Sequence, residues 1–175
     1  MRFPFKRVVA LFLPGLVLSV AGCNPFPHKP APPPAAPDHD LVAAIRAAGT
    51  NDDSVIEVKP LRDPAVAVLV NAAQRDEQAG NYASAAAELD RVLRITPDAP
   101  DLLQDRAEIA VRLGDFADAE RLARKSWSLG PRLGPLCARN WQTVVEVRLQ
   151  AGDQAGADVA RKWVTQCHKP DIPRY

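Results

Sequence analysis

The chain has 175 residues, with 22 Lys+Arg against 21 Asp+Glu, 47% hydrophobic and 25% charged residues, an ordinary balance for one globular domain with appendages. A formal net charge of +1 excludes a strongly basic nucleic-acid binder and an acidic disordered chain. With only 3 Cys and 3 His there is little material for a metal cluster or a disulfide-dense scaffold, and no cofactor is expected.

The first segment, residues 1–22, reads as a signal. Arg2, Lys6 and Arg7 form a positive start, and Val8 to Val20 is an apolar run interrupted by Pro14 and Gly15. A stable transmembrane helix needs roughly 20 apolar residues, so this run is too short and too broken to span a bilayer. A charged start, a short apolar stretch and small residues at its end are the pattern of a secretory signal. The end reads Val20-Ala21-Gly22-Cys23, which resembles the bacterial lipobox. That resemblance implies diacylglycerol on the Cys23 thiol, cleavage after Gly22, and acylation (palmitate) of the new amino terminus. Two or three chains anchor a protein stably, where one would be marginal. The competing reading, an ordinary signal or anchor with an incidental Cys23, leaves the register of all four features unexplained.

Without residues 1–22 the chain carries 19 positive against 21 negative charges, so no basic surface remains to attract nucleic acid or anionic lipid. Asn24 follows the cysteine. In the sorting pattern of enteric lipoproteins an aspartate there retains a protein in the inner membrane. The resemblance therefore favours the outer membrane, with the domain facing the periplasm. Residues 23–37 form a tether: PFPHKPAPPPAAP holds 7 of the 17 Pro in 13 positions. Extended polyproline II at about 3.1 Å per residue gives a reach of roughly 40 Å. A spacer is the simpler reading; a docking motif for an aromatic groove is the alternative.

Residues 38–63 hold a short helix, DLVAAIRAA over 40–48, ended by Gly49, and a β-prone run from Ser54 to Val58 without a visible partner strand. Beyond them the chain repeats. Gly80-Asn81-Tyr82 recurs as Gly114-Asp115-Phe116, 34 residues on, and as Gly152-Asp153-Gln154, 38 residues further. A period of this size is tested for repeat architecture before any other fold. Ala85, Ala119 and Ala157 fall at equal offsets, Pro97 and Pro131 follow the second helices, and Leu69, Leu103 and Trp141 stand early in the first. These positions resemble tetratricopeptide repeats, which implies an all-α array of about three helical hairpins over residues 64–169, with a tail at 170–175. Asp63-Pro64 opens the first helix, and Asn81, Asp115 and Asp153 are placed to cap the second helices. Ala85, Leu89, Val92 and Leu93 share one face at helical spacing. The departures are Asp76 and Arg106 at positions the family fills with larger apolar residues, four extra residues around Gly134–Cys137, and no solvating helix before Tyr175. The last hairpin is therefore expected to fray or to bind something.

Chemistry is sparse. With Cys23 lipidated, Cys137 and Cys167 remain in an oxidising compartment. In the repeat arrangement they sit at the start and end of the third hairpin, ends that antiparallel packing brings together, so a disulfide is expected. The alternative, a reactive Cys167 beside His168, lacks a third group to orient it. Phosphate-cradling, nucleophile-elbow and zinc motifs are absent from the sequence. Glu108 and Glu146 could be read as an acid and base. The repeat resemblance instead puts them at equivalent sites on successive first helices, lining the concave groove as exposed, solvated recognition groups. Gln104 and Gln142 lie one turn earlier. With Val70, Gln74, Arg112, Arg139 and Gln150 they define a mixed polar groove, without the lysine-asparagine arrangement that clamps a carboxyl terminus. Trp127, Trp141 and Trp163 are expected as packing anchors, the first and last partly exposed.

These readings lead to a non-enzymatic, lipid-anchored periplasmic adaptor that holds a segment of an envelope protein. A pilotin-like assembly factor for a secretion or pilus pore, and a peptidoglycan-active enzyme, are the alternatives.

Overall fold

Asp63 accepts a hydrogen bond from the Ala65 amide, with Pro64 in the first turn of the helix; this is the donor-free start that a helix tolerates best. It begins the repeating part of a computed structural model that describes residues 39–50 and 61–168. Among the described residues there are seven helices and no strand: α1 (Leu41–Thr50), α2 (Pro64–Gln78), α3 (Tyr82–Ile95), α4 (Pro100–Arg112), α5 (Phe116–Leu129), α6 (Pro135–Gln150) and α7 (Gln154–Cys167). The β-prone run Ser54 to Val58 lies outside the described residues, as do the signal and the tether.

The last six helices pair as hairpins, α2 with α3, α4 with α5 and α6 with α7, and successive hairpins stack through α3 on α4 and α5 on α6. Each hairpin turns at a glycine with positive φ: Gly80 at 76°, Gly114 at 76° and Gly152 at 72°. A Cβ at any of the three would meet nothing within 4 Å, so the left-handed backbone, not lack of space, is what selects glycine. The side chains of Asp115 and Asp153 then accept from the amides of Asp118 and Gly156. Asn81 departs from expectation, since it makes no side-chain cap bond.

Hairpin packing follows the small residues. Ala85, Ala119 and Ala157 are fully buried, and around the first pair Val66, Val70, Ala73, Leu89 and Val92 complete the core. Arg106, which breaks the apolar pattern of the repeat, reaches Asp90 at 2.8 Å and Asp118 at 3.8 Å, so its charge is met by ion pairs. In the third hairpin Cys137 and Cys167 are joined in a disulfide, with Cα atoms 5.5 Å apart and both residues 1% exposed. The Gly134 amide donates to the Cys167 carbonyl at 2.7 Å, so the extra residues before α6 are tied to the end of α7. Trp141 lies in the same core cluster. It stacks on Trp163 at 5.1 Å between centroids and meets the edge of Trp127 at 5.2 Å. The tryptophans are therefore packing anchors, and Trp163 keeps 38% of its surface exposed.

The sixteen residues of α6 pack against α5, α7 and α1. Val42 and Ile45, three apart on α1, are fully buried against Ala110, Val111, Ala119 and Val147. Gly49 lies in the last turn of α1, which ends at Thr50, one residue past the expected stop. A Cβ there would come within 3.0 Å of the Arg139 side chain and 3.1 Å of the Pro135 carbonyl, so glycine lets α1 settle closely on α6.

Candidate partner-binding groove

The first helices α2, α4 and α6 carry every residue assigned to the groove by the repeat pattern. Helix α1, which belongs to no repeat, packs on α6 and α4 and divides that surface into a sealed part and an open part.

The sealed part holds Gln104, Glu108 and Glu146, exposed by 0%, 0% and 4%. The expectation that Glu108 and Glu146 are solvated is therefore corrected, and the cause is the helix lying over them. A carboxylate withdrawn from water must be paired and hydrogen-bonded. Arg46 of α1 donates from Nε to Glu108 Oε2 at 2.8 Å. Arg139 of α6 donates from Nε to Oε1 at 2.8 Å, and its Nη2 lies 2.6 Å from the same oxygen. Gln104 Nε2 donates both to Glu108 Oε1 at 3.0 Å and to Thr143 Oγ1 at 2.9 Å. Glu146 accepts from Gln142 Nε2 at 2.7 Å and lies 3.5 Å from His39. Gln150, at the end of α6, is exposed and away from the open part.

The open part is a cleft of about 720 Å³. Four of the expected residues, Val70, Gln74, Arg112 and Arg139, line it together. Its floor is apolar, from Val70, Ala73, Leu89 and Ile109, all buried. Its rim is charged. Arg46 Nη2 donates to Glu77 at 2.6 Å across the mouth, Arg112 pairs with Asp40 at 2.8 Å, and the Arg112 guanidinium lies 5.9 Å from the Tyr82 ring centroid. Arg139 also donates from Nη2 to Asp105 at 2.9 Å.

The electrostatics follow from crowding. Burial pushes the Asp105 carboxyl up to about 6; Arg139 opposes that and the neighbouring Glu108 adds to it. Burial works against the charge on Arg139, but Glu108 and Asp105 outweigh it and raise its pKa; Arg46 behaves the same way toward Glu108 and Glu77. Both guanidiniums are thus fixed cations. Among the described residues no group of three or more His, Cys, Asp or Glu is placed to hold a metal ion.

Arg46, Glu77, Tyr82 and Asp105 were not foreseen as groove residues. The available signal was Val42, Ile45 and Ala48 at helical spacing on α1: an apolar face outside the repeats needs a surface to bury against, and the concave side of the array is that surface.

This architecture defines an all-α helical array of the tetratricopeptide type, a class built around protein recognition. A family model described as tetratricopeptide repeat matches residues 77–128, the span from the end of α2 through α5. Among solved structures, the globular C-terminal domain of P. aeruginosa LpoP is 34% identical, with a TM-score of 0.56, over 60% of this chain and 99% of that one. The chain belongs to the family of that domain. Among curated proteins no significant match is found.

Proposed function

We propose that this protein is a lipid-anchored scaffold of the bacterial envelope, whose helical domain faces the periplasm and holds a segment of another envelope protein in the open cleft. The observation that carries the reading is the cleft itself, an apolar floor beneath a rim of fixed arginines on the concave side of a repeat array. Repeat arrays use such extended concave surfaces for binding. The role is recognition, not catalysis: Glu108, one of the two carboxylates able to serve as acid or base, is 0% exposed and held by two arginines, out of reach of a substrate.

The anchor rests on Val20-Ala21-Gly22-Cys23 in register with the positive start and apolar run, and Asn24 favours the outer membrane. The Cys137–Cys167 bond fits an oxidising compartment such as the periplasm. Fractionation tests the anchor. Cys23→Ser is expected to leave an unprocessed or soluble protein that no longer takes up labelled palmitate. A variant that still sediments with the outer membrane like the parent defeats this reading.

A further inference from the structure

The two ends of the hairpin array differ. Inside the array, a first helix presents one row of side chains to the hairpin before it. On α4 that row is Leu102, Arg106 and Ile109. Leu102 and Ile109 are buried in the core cluster of α2 and α3, and Arg106 reaches Asp90 of α3 at 2.8 Å. The residues 34 positions earlier, on α2, are Val68, Ala72 and Arg75, and among the described residues no hairpin packs on them. Val68 is 64% exposed, and Leu61, just before the helix, is fully exposed. The opposite end is closed by polar groups. On α5, Glu120, Arg124 and Trp127 face the next hairpin and meet Arg148 and Trp141 of α6. Their equivalents 38 residues on, Asp158, Lys162 and Thr165 of α7, are all exposed; a polar outer face of this kind is how a repeat array ends in water.

We infer that this protein pairs with a second copy of itself through α2, the two helices lying antiparallel across a two-fold axis between Val68 and Ala72. The face continues an interface that the array already uses between its own hairpins, and it is self-complementary. Ala65, Val68, Ala72 and Arg75 recur at intervals of three, four and three residues, the spacing of a helix–helix seam. In the antiparallel arrangement Val68 of each copy meets Ala72 of the other, so one face satisfies itself twice. The charges agree with that register. Arg75 is exposed and, among the described residues, in no ion pair; it falls over the first turn of the second copy's α2. There Asp63 uses Oδ1 on the Ala65 amide and keeps Oδ2 for a guanidinium. Antiparallel order also sets each helix's C-terminal end beside the other's N-terminal end. Growth into a longer chain of copies would stack α2 on α7, whose polar row gives Val68 nothing to bury against, so the contact closes as a dimer. Val68, Ala72 and Arg75 do not line the cleft, so the pairing is independent of what the cleft holds.

The test follows the purified full chain by sedimentation equilibrium from micromolar to millimolar concentration, where a reversible monomer–dimer equilibrium is expected. Val68→Lys, which brings two ammonium groups into the seam, should weaken the dimer about tenfold or more. The site is exposed in the single chain, so circular dichroism should show the parent's helix content. Arg75→Gln and Asp63→Asn, which keeps a capping oxygen, should each weaken the dimer about threefold, and the double variant should lose no more than either alone because both remove the same pair. Asp158→Lys, at the other end of the array, should leave the equilibrium unchanged. A chain that stays monomeric throughout, assemblies that grow beyond two copies, or a dimer that keeps the parent's affinity in Val68→Lys, including one held by lipid anchors alone, overturns the inference.

Discussion

Reversing the charge of Glu108 is the sharpest perturbation of this fold. Glu108→Lys sets an ammonium beside Arg46 and Arg139, whose guanidinium nitrogens lie 2.8 and 2.6 Å from the carboxylate oxygens they now hold, at a site with no exposure. Removing one member of a buried ion pair costs about 3–5 kcal/mol, and here the replacement is a like charge. The repulsion also opposes docking of α1, whose Val42 and Ile45 each contribute about 1.5–3 kcal/mol by burial. Domains of this size are stable by about 5–15 kcal/mol, so the variant is expected to lose at least about 4 kcal/mol in urea unfolding followed by circular dichroism. Asp158→Lys is the comparison: Asp158 is 58% exposed, pairs with Arg161 one turn on and accepts from Gln154 on the same helix, and such surface changes fall within about 0.5 kcal/mol. If Glu108→Lys unfolds at the same urea concentration as Asp158→Lys, then Glu108 is solvated and α1 does not cover it.

Leu89→Ala, at a residue 3% exposed between α2 and α3, is expected to cost about 2–5 kcal/mol in the same assay. Replacing both Cys137 and Cys167 by Ala should lower stability by about 3–4 kcal/mol, from a bridge that closes a separation of 30 residues; nonreducing peptide mapping should show the two joined in the parent. Asp105 supplies a pH signature. Its folded pKa is raised from 3.8 to about 6, so between those values the folded state binds more protons than the unfolded one, and this group makes stability fall as pH rises through that window. Asp105→Asn should flatten that part of a melting-temperature profile, and an unchanged slope would show that Asp105 is not crowded.

The hairpin array was legible because its signals are local. A glycine at each turn needs only its own φ, and the alanines at equal offsets need only the neighbouring helix of the same hairpin. The groove was half legible for the same reason. The repeat pattern put Glu108 and Glu146 on the correct helices and the correct side. What it could not supply was the cover, because Arg46 meets Glu108 across 62 residues and no repeat template contains α1. Gly49 shows the same limit: a glycine at the end of an apolar run reads as a stop, but whether it marks an end or a close approach depends on Arg139 and Pro135, some 90 residues away. Asn81 looked like a cap by position, and the turn at Gly80 forms without its side chain.

The claim that the open cleft is the recognition surface is tested most directly by photo-crosslinking in living cells. A photoreactive residue at Gln74, which lines the cleft, is compared with one at Asp158 on the exposed side of α7. A discrete adduct with one envelope protein from Gln74, absent from Asp158, is the predicted result. Adducts from Asp158 alone, or the same adducts from both positions, would contradict it.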